Sequence, residues 1–345
     1  MLAALSCSSV APRTEVVWSP VAQVASGDAR YDQGVSAMYA ASAGGVLLIA
    51  GGANFPDVPV ADGGKKAFYD YIYMYDNGWH CVGRLLEPAA YGVSCSCGGG
   101  ALFAGGANEK GALRSVYMVE IEDGAAKVSE RAPLPYAVEQ AAGASIEDRV
   151  YLFGGVADGC PSSSLFALDI SDSGAEWQRL APAPEAFVQP VAAASGGRLY
   201  VWGGFDPKSG NVGGQGYCYD PQRDEWSAVA GHPDGGTFTG GCAVTLADGR
   251  ILCTGGVDRE IFSSALRLPA GKVREYQMQP VEYYRFQRAV RIFDPHSGEW
   301  SCIGVSECTA RAGASLVCND GGVWLLGGEV KPGIRTPDNY FSKDI

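Results

Sequence analysis

The sequence has 345 residues, 47% hydrophobic and 19% charged, with 48 glycines. That much apolar material excludes a disordered chain, and the glycine content suits many short strands joined by tight turns. A formal net charge of −12 repels phosphate backbones and anionic lipid, which excludes nucleic acid and membrane surfaces as charge-driven partners.

No run reaches the roughly 18 apolar residues that span a bilayer. The first residues, Leu2-Ala3-Ala4-Leu5-Ser6-Cys7-Ser8-Ser9, read as the tail of a secretory signal ending in a bacterial lipobox, with Cys7 as lipid acceptor. Residues 1–15 are then a signal remnant and linker, residues 16–345 the folded domain, and the protein an exported lipoprotein, periplasmic or tethered to the outer membrane. Membrane contact is expected only through Cys7. Of the remaining ten cysteines, most lie in predicted strands, where cysteine acts as a small hydrophobe. His80, His232 and His296 are scattered without ligand spacing, so no metal site is expected.

Val16-Val17-Trp18-Ser19-Pro20 reads as an orphan strand. Six apolar runs then end in glycine pairs: Val46 to Gly52, Ala101 to Gly106, Val150 to Gly155, Leu199 to Gly204, Ile251 to Gly256 and Val323 to Gly328. The first four intervals lie near 50 residues and the fifth is longer. A period of this size marks a radially repeated sheet. After most pairs come a third strand and a fourth carrying tryptophan: Ile72 to Tyr75 leads to Trp79, Leu165 to Asp169 to Trp177, Tyr217 to Asp220 to Trp226, and Arg291 to Asp294 to Trp300. The second unit, with Val116 to Glu120 followed by Ala126-Lys127-Val128, has no tryptophan and is expected to pack more loosely. These units resemble kelch repeats. Too few residues follow the sixth pair for two more strands, so the orphan strand is expected to complete the last blade and remove the free sheet edges. The fold class is therefore all-β, a six-bladed kelch-type propeller closed by an N-terminal strand.

Strand alternation brings the loops after the glycine pairs, and the starts of the inner strands, to one face. That rim gathers Asn54, Phe55, Asp258, Glu329 and Arg335 from the loops, and Tyr91, Gln140, Gln189 and Arg311 from the strand starts. Lys65 and Lys66 read as a solvated loop edge. Arg311 reads either as a funnel residue or as a surface ion pair. Asn54 and Phe55 read either as turn formers or as a wall for an N-acetyl group. The insertion from Ser263 to Gln287, with Tyr276, Tyr283, Tyr284 and Phe286, reads as a lid or as side packing, its aromatics favouring a packed cover.

Gly327-Gly328-Glu329-Val330-Lys331-Pro332-Gly333-Ile334-Arg335-Thr336, together with Gly51-Gly52-Ala53-Asn54-Phe55-Pro56, Gly63-Gly64-Lys65-Lys66 and Gly255-Gly256-Val257-Asp258-Arg259-Glu260, resembles the N-acetylneuraminate epimerase family, with the blades in cyclically permuted order. The resemblance implies interconversion of the α and β anomers of N-acetylneuraminic acid, a sialic acid, with Glu329 and Arg335 as the functional pair. Only protons move in such a mutarotation, so no cofactor is expected. A carboxyl group can serve as general acid or base, and a guanidinium can bind the substrate carboxylate or stabilise charge. Asn54, Phe55, Tyr91, Gln189, Arg311 and Asp258 are the expected substrate-binding residues. A non-catalytic kelch propeller binding a glycan or protein is the alternative. A sialidase would need three rim arginines and a Tyr–Glu pair that cannot be assembled here.

Overall fold

Leu47, Leu48 and Ile49 are consecutive in one strand, yet they enter different cores. Leu48 packs with Ala101, Phe103 and Val119 of the next blade. Leu47 and Ile49 pack with Val317, Trp324 and Leu326 of the last. Successive strand side chains point to opposite faces, so an uninterrupted apolar strand needs a neighbour on both sides. The computed structural model, which describes residues 16–343 and 345, repeats this pattern around a ring. Cys7, with the proposed lipobox, lies outside the described residues.

Six antiparallel sheets, each built on a path of four strands, form the blades of a β-propeller. Their innermost strands are Tyr39–Ala43, Val93–Cys97, Val138–Ile146, Val188–Ser195, Gly241–Thr245 and Ser315–Asn319. Six apolar clusters fill the six gaps between neighbouring blades. Blade 6 takes its outermost strand from the other end of the chain: Ser19–Val21 pairs antiparallel with Asn339–Ser342, setting Pro20 opposite Tyr340. Proline is tolerated there because an outermost strand needs no donor on its free side. Trp18, just before this strand, packs into the core between blades 5 and 6.

Outer tryptophans fasten blades 1, 3, 4 and 5 each to the blade before it. The indole N–H of Trp79 donates to Ala22 O at 2.9 Å, Trp177 to Ala132 O at 2.9 Å, Trp226 to Ala181 O at 3.0 Å and Trp300 to Ala230 O at 3.2 Å. Blade 2 lacks the indole but is not left loose. Its Ala126 lies so close to Gly83 of blade 1 that a Cβ on that glycine would come within 2.9 Å of the alanine methyl.

The long insertion in blade 5 is helical. Helix α1 (Arg259–Leu266) is capped by the Asp258 carboxylate, which accepts from the N–H groups of Glu260 and Ile261. Helix α2 (Ala270–Gln277) follows, then a short turn of 3-10 helix at Val281–Tyr284. Tyr284 and Phe286 are buried with Val257 and Ala312, which docks the segment on the rim. Arg274 on α2 pairs with Asp62 of the blade 1 loop at 2.8 Å, and Lys331 Nζ of blade 6 donates to Gln279 O at 2.9 Å. The insertion thus crosses from blade 5 towards blades 6 and 1 as a packed cover. No helix among the described residues is long and apolar enough to cross a membrane.

Candidate functional site

Where the chain enters each innermost strand, one residue takes a positive φ: Ala37 (54°), Tyr91 (63°), Gln140 (58°), Gln189 (53°), Gly240 (69°) and Gly313 (60°). These residues are joined by backbone hydrogen bonds. Ala37 N–H donates to Gly313 O at 2.7 Å, Gly313 to Gly240 O at 2.8 Å, Gly240 to Gln189 O at 3.0 Å, Gln140 to Tyr91 O at 2.8 Å and Tyr91 to Ala37 O at 2.8 Å. The collar surrounds a central cavity of about 460 Å³. A non-glycine residue in this conformation costs about 1–3 kcal/mol, a strain that collects at ligand clamps. Gln189 Nε2 donates to Gln140 Oε1 at 2.7 Å, so two of the strained residues brace each other on the blade 3–4 side.

On the opposite side, blade 6 supplies a small hairpin. Gly327 and Gly328 turn the chain with φ of 51° and 106°, and a Cβ on Gly327 would stand 2.2 Å from Met38 Cε. Glu329 follows at once, its N–H donating to Ala312 O at 2.7 Å. Residues 329–331 then pair back on 334–335, with Glu329 directly opposite Arg335. Pro332-Gly333 makes the turn, and the glycine φ of 82° is what the third position of a type II turn requires.

Across this hairpin Arg335 Nη1 donates to Glu329 Oε2, and Gly333 N–H donates to the same oxygen at 3.1 Å. The Arg335 side chain is only 4% exposed and that of Glu329 23%. Burial pushes the Glu329 carboxyl above the ordinary carboxylate range, while Arg335, the Gly333 N–H and Lys66 pull it back. Arg335 also reaches other blades. Its Nη2 donates to Tyr91 OH at 3.3 Å, its Nε to Ala53 O at 3.4 Å, and its guanidinium stands 5.3 Å from the centre of the Phe55 ring.

Of the residues expected from sequence, Glu329, Arg335, Phe55, Tyr91 and Gln189 line this one cavity. Three do not. Arg311 is 4% exposed and donates from Nη1 to the carbonyls of Gly327 (2.6 Å) and Asp338 (2.9 Å), behind the cavity wall. It stands two residues before the collar, where the other blades carry buried Val35, Ala89, Val138, Phe187 and Phe238. That is a core position, neither a funnel nor a surface one. Asn54 is buried too, donating to Arg30 O and Gly34 O and accepting from Tyr69 OH, which makes it a brace for the blade 1 loops. Asp258 caps α1, pairs with Arg285 at 3.3 Å and borders a separate lateral cavity with His232 and Arg259.

Sequence reasoning set Gln140 among the strand starts of the rim without making it a site residue, and missed Lys66 and Gln277 as lining residues. Gln140 had a findable signal: Ala37, Tyr91, Gln140, Gln189 and Gly313 each stand 14 residues before the first glycine of their blade's pair. Gln277 arrives on the helical cover, which repeat logic does not describe. All ten cysteines among the described residues are free, and no group of three or more metal-ligating side chains occurs among those residues.

A family model described as N-acetylneuraminate epimerase matches residues 132–343. A protein of that name from Brucella melitensis biotype 1 is 31% identical over 151 residues, covering 40% of this chain and 39% of the relative. One from Escherichia coli is 30% identical over 137 residues, 37% of this chain and 36% of the relative. The chain thus spans about two fifths of the length of the curated relatives it matches. A solved structure titled "Structure of YjhT" is similar with a TM-score of 0.52 and 27% identity, covering 59% of this chain and 62% of its own.

Proposed function

The chain belongs to the N-acetylneuraminate epimerase family, and from that membership we propose that it interconverts the α and β anomers of N-acetylneuraminic acid in the central cavity. The observation that carries the reading is the Glu329–Arg335 pair facing a cavity whose size suits one small ligand. Opening the hemiketal removes a proton from the anomeric hydroxyl as the bond from the anomeric carbon to the ring oxygen breaks, and the ring oxygen takes up a proton. The free ketone turns over and the ring recloses on its other face, so protons and electrons balance without a cofactor. A carboxyl raised by burial exchanges protons near neutral pH more evenly than an ordinary glutamate. Arg335 holds Glu329 in place and balances its charge when it is ionised.

The test is a pulse of the α anomer followed by proton NMR. The native protein speeds α-to-β conversion, and Glu329→Gln slows it by about 10²–10⁴-fold, the usual contribution of a proton-transfer group. A native protein that leaves the spontaneous rate unchanged would favour the non-catalytic propeller. We also propose export and lipid attachment at Cys7, supported by the lipobox-like Leu2 to Cys7 run. Incorporation of an alkyne fatty acid that disappears in Cys7→Ala checks it.

A further inference from the structure

Three of the five N–H donors of Arg335 are already engaged. Its Nη1 is given to Glu329, its Nη2 to Tyr91 and its Nε to Ala53 O. A substrate carboxylate that displaced Glu329 from Nη1 would strip it of its partner, and one that shared the guanidinium would set two carboxylates together in a poorly solvated place. A second cation lines the same cavity without such commitments. Lys66 Nζ stands 4.3 Å from the Tyr91 ring centre, 5.8 Å from Phe55 and 5.9 Å from Phe68. It has no hydrogen-bond or ion-pair partner among the described residues. Ring faces attract an ammonium and fix its position, yet leave its three N–H donors free.

Lys65 and Lys66 are adjacent, but only the second is turned to this position. Lys65 is exposed. The next two residues pair with the blade 1 loop, Ala67 opposite Asn54 and Phe68 opposite Ala53, and hold Lys66 against the aromatic cluster. Lys66 and Arg335 share the Phe55 ring and the Tyr91 side chain, and both act on Glu329. Two cations against one carboxylate make the cavity locally attractive to anions in a chain of net charge −12.

We propose that Lys66 is the anchor for the carboxylate of the sugar acid, leaving Arg335 to serve Glu329. This rests on the epimerase reading of the same cavity. The carboxylate carbon of the substrate is bonded directly to the anomeric carbon. An anchor at Lys66 therefore sets the anomeric carbon one bond, and the reacting hydroxyl oxygen two bonds, from a fixed point.

The test separates binding from turnover. A 2,3-didehydro analogue keeps the carboxylate but has no anomeric hydroxyl and cannot open. The analogue and its methyl ester are titrated by calorimetry against the native protein, Lys66→Met and Lys66→Arg. Losing a hydrogen bond between charged groups weakens the acid about 10- to 100-fold in Lys66→Met. The ester binds native and Lys66→Met proteins alike, and Lys66→Arg recovers most of the affinity for the acid. In turnover, Lys66→Met raises KM while kcat stays within a few-fold. Equal binding of the acid by native and Lys66→Met proteins, or an equal loss for acid and ester, overturns the anchor alone. No binding to the native protein overturns the epimerase reading and the anchor with it.

Discussion

Replacing Arg335 by methionine isolates what the guanidinium does for Glu329. The arginine side chain is 4% exposed and its partner 23%, so the pair is mostly withdrawn from water. Removing one member of a buried pair costs about 3–5 kcal/mol while the other stays ionised, and the partial exposure of Glu329 places this case near the lower end. The carboxyl can escape by taking a proton, at about 1.4 kcal/mol for each pH unit above its pKa. Burial already raises that pKa. The native state therefore holds this proton more tightly than the unfolded chain. Its stabilising effect is complete below the ordinary value of about 4.3 and is lost as pH rises through the raised one. Removing Arg335, which opposes the shift, steepens the loss. At pH 8 Arg335→Met is expected to cost about 3 kcal/mol, and at pH 5 about 1–2 kcal/mol, the worth of its hydrogen bonds to Ala53 O and Tyr91 OH. The assay is urea unfolding of the native protein, Arg335→Met, Glu329→Gln and the double variant at both pH values. Strictly additive losses that do not depend on pH would refute the reasoning.

His232 gives a pH effect of opposite sign. Burial first, then Arg291, lowers its pKa to about 4, and its Nε2 has no partner. Stability is complete above the unfolded value near 6.5 and falls by up to about 3 kcal/mol as pH drops to about 4. His232→Gln should flatten that fall in thermal melts, and an unchanged slope would count against it. Deleting residues 1–22 removes the strand Ser19–Val21 with Trp18 and Val21, which pack into two interblade cores. At about 1.5–3 kcal/mol for a fully buried side chain, these two partly buried ones account for about 2–4 kcal/mol, with aggregation through the bared edge of Asn339–Ser342 visible by size exclusion. A truncated protein that melts and elutes like the native one would argue against the closure strand.

The blades were legible because glycine pairs and continuous apolar runs are local signals of strands covered on both faces, as Leu47 to Ile49 illustrate. The closing strand was legible from the orphan run Val16 to Pro20 and the short tail, though pairing begins at Ser19, later than that run suggested. Glu329 and Arg335 stood out because the run from Gly327 to Thr336 resembles a family motif; that the pair faces itself across a hairpin was not read from it. Elsewhere on the rim, sequence could say which end of the ring a residue occupies, but not which way its side chain points. Asn54 and Arg311 turn inward to satisfy backbone carbonyls, while Lys66 turns to the cavity because the short pairing of residues 67–68 leaves Lys65 outside. Asp258 was misplaced because the aspartate starts a helix that strand periodicity does not announce.

The hairpin at residues 329–335 lies between the last two strands of the C-terminal blade, and that blade is finished only by residues 19–21. The sheet that carries the hairpin thus joins strands far apart in the sequence. The Glu329–Arg335 pair sits in a blade to which both regions contribute. Whatever unseats residues 19–21 is therefore expected to be felt at the hairpin as well as at the seam of the ring.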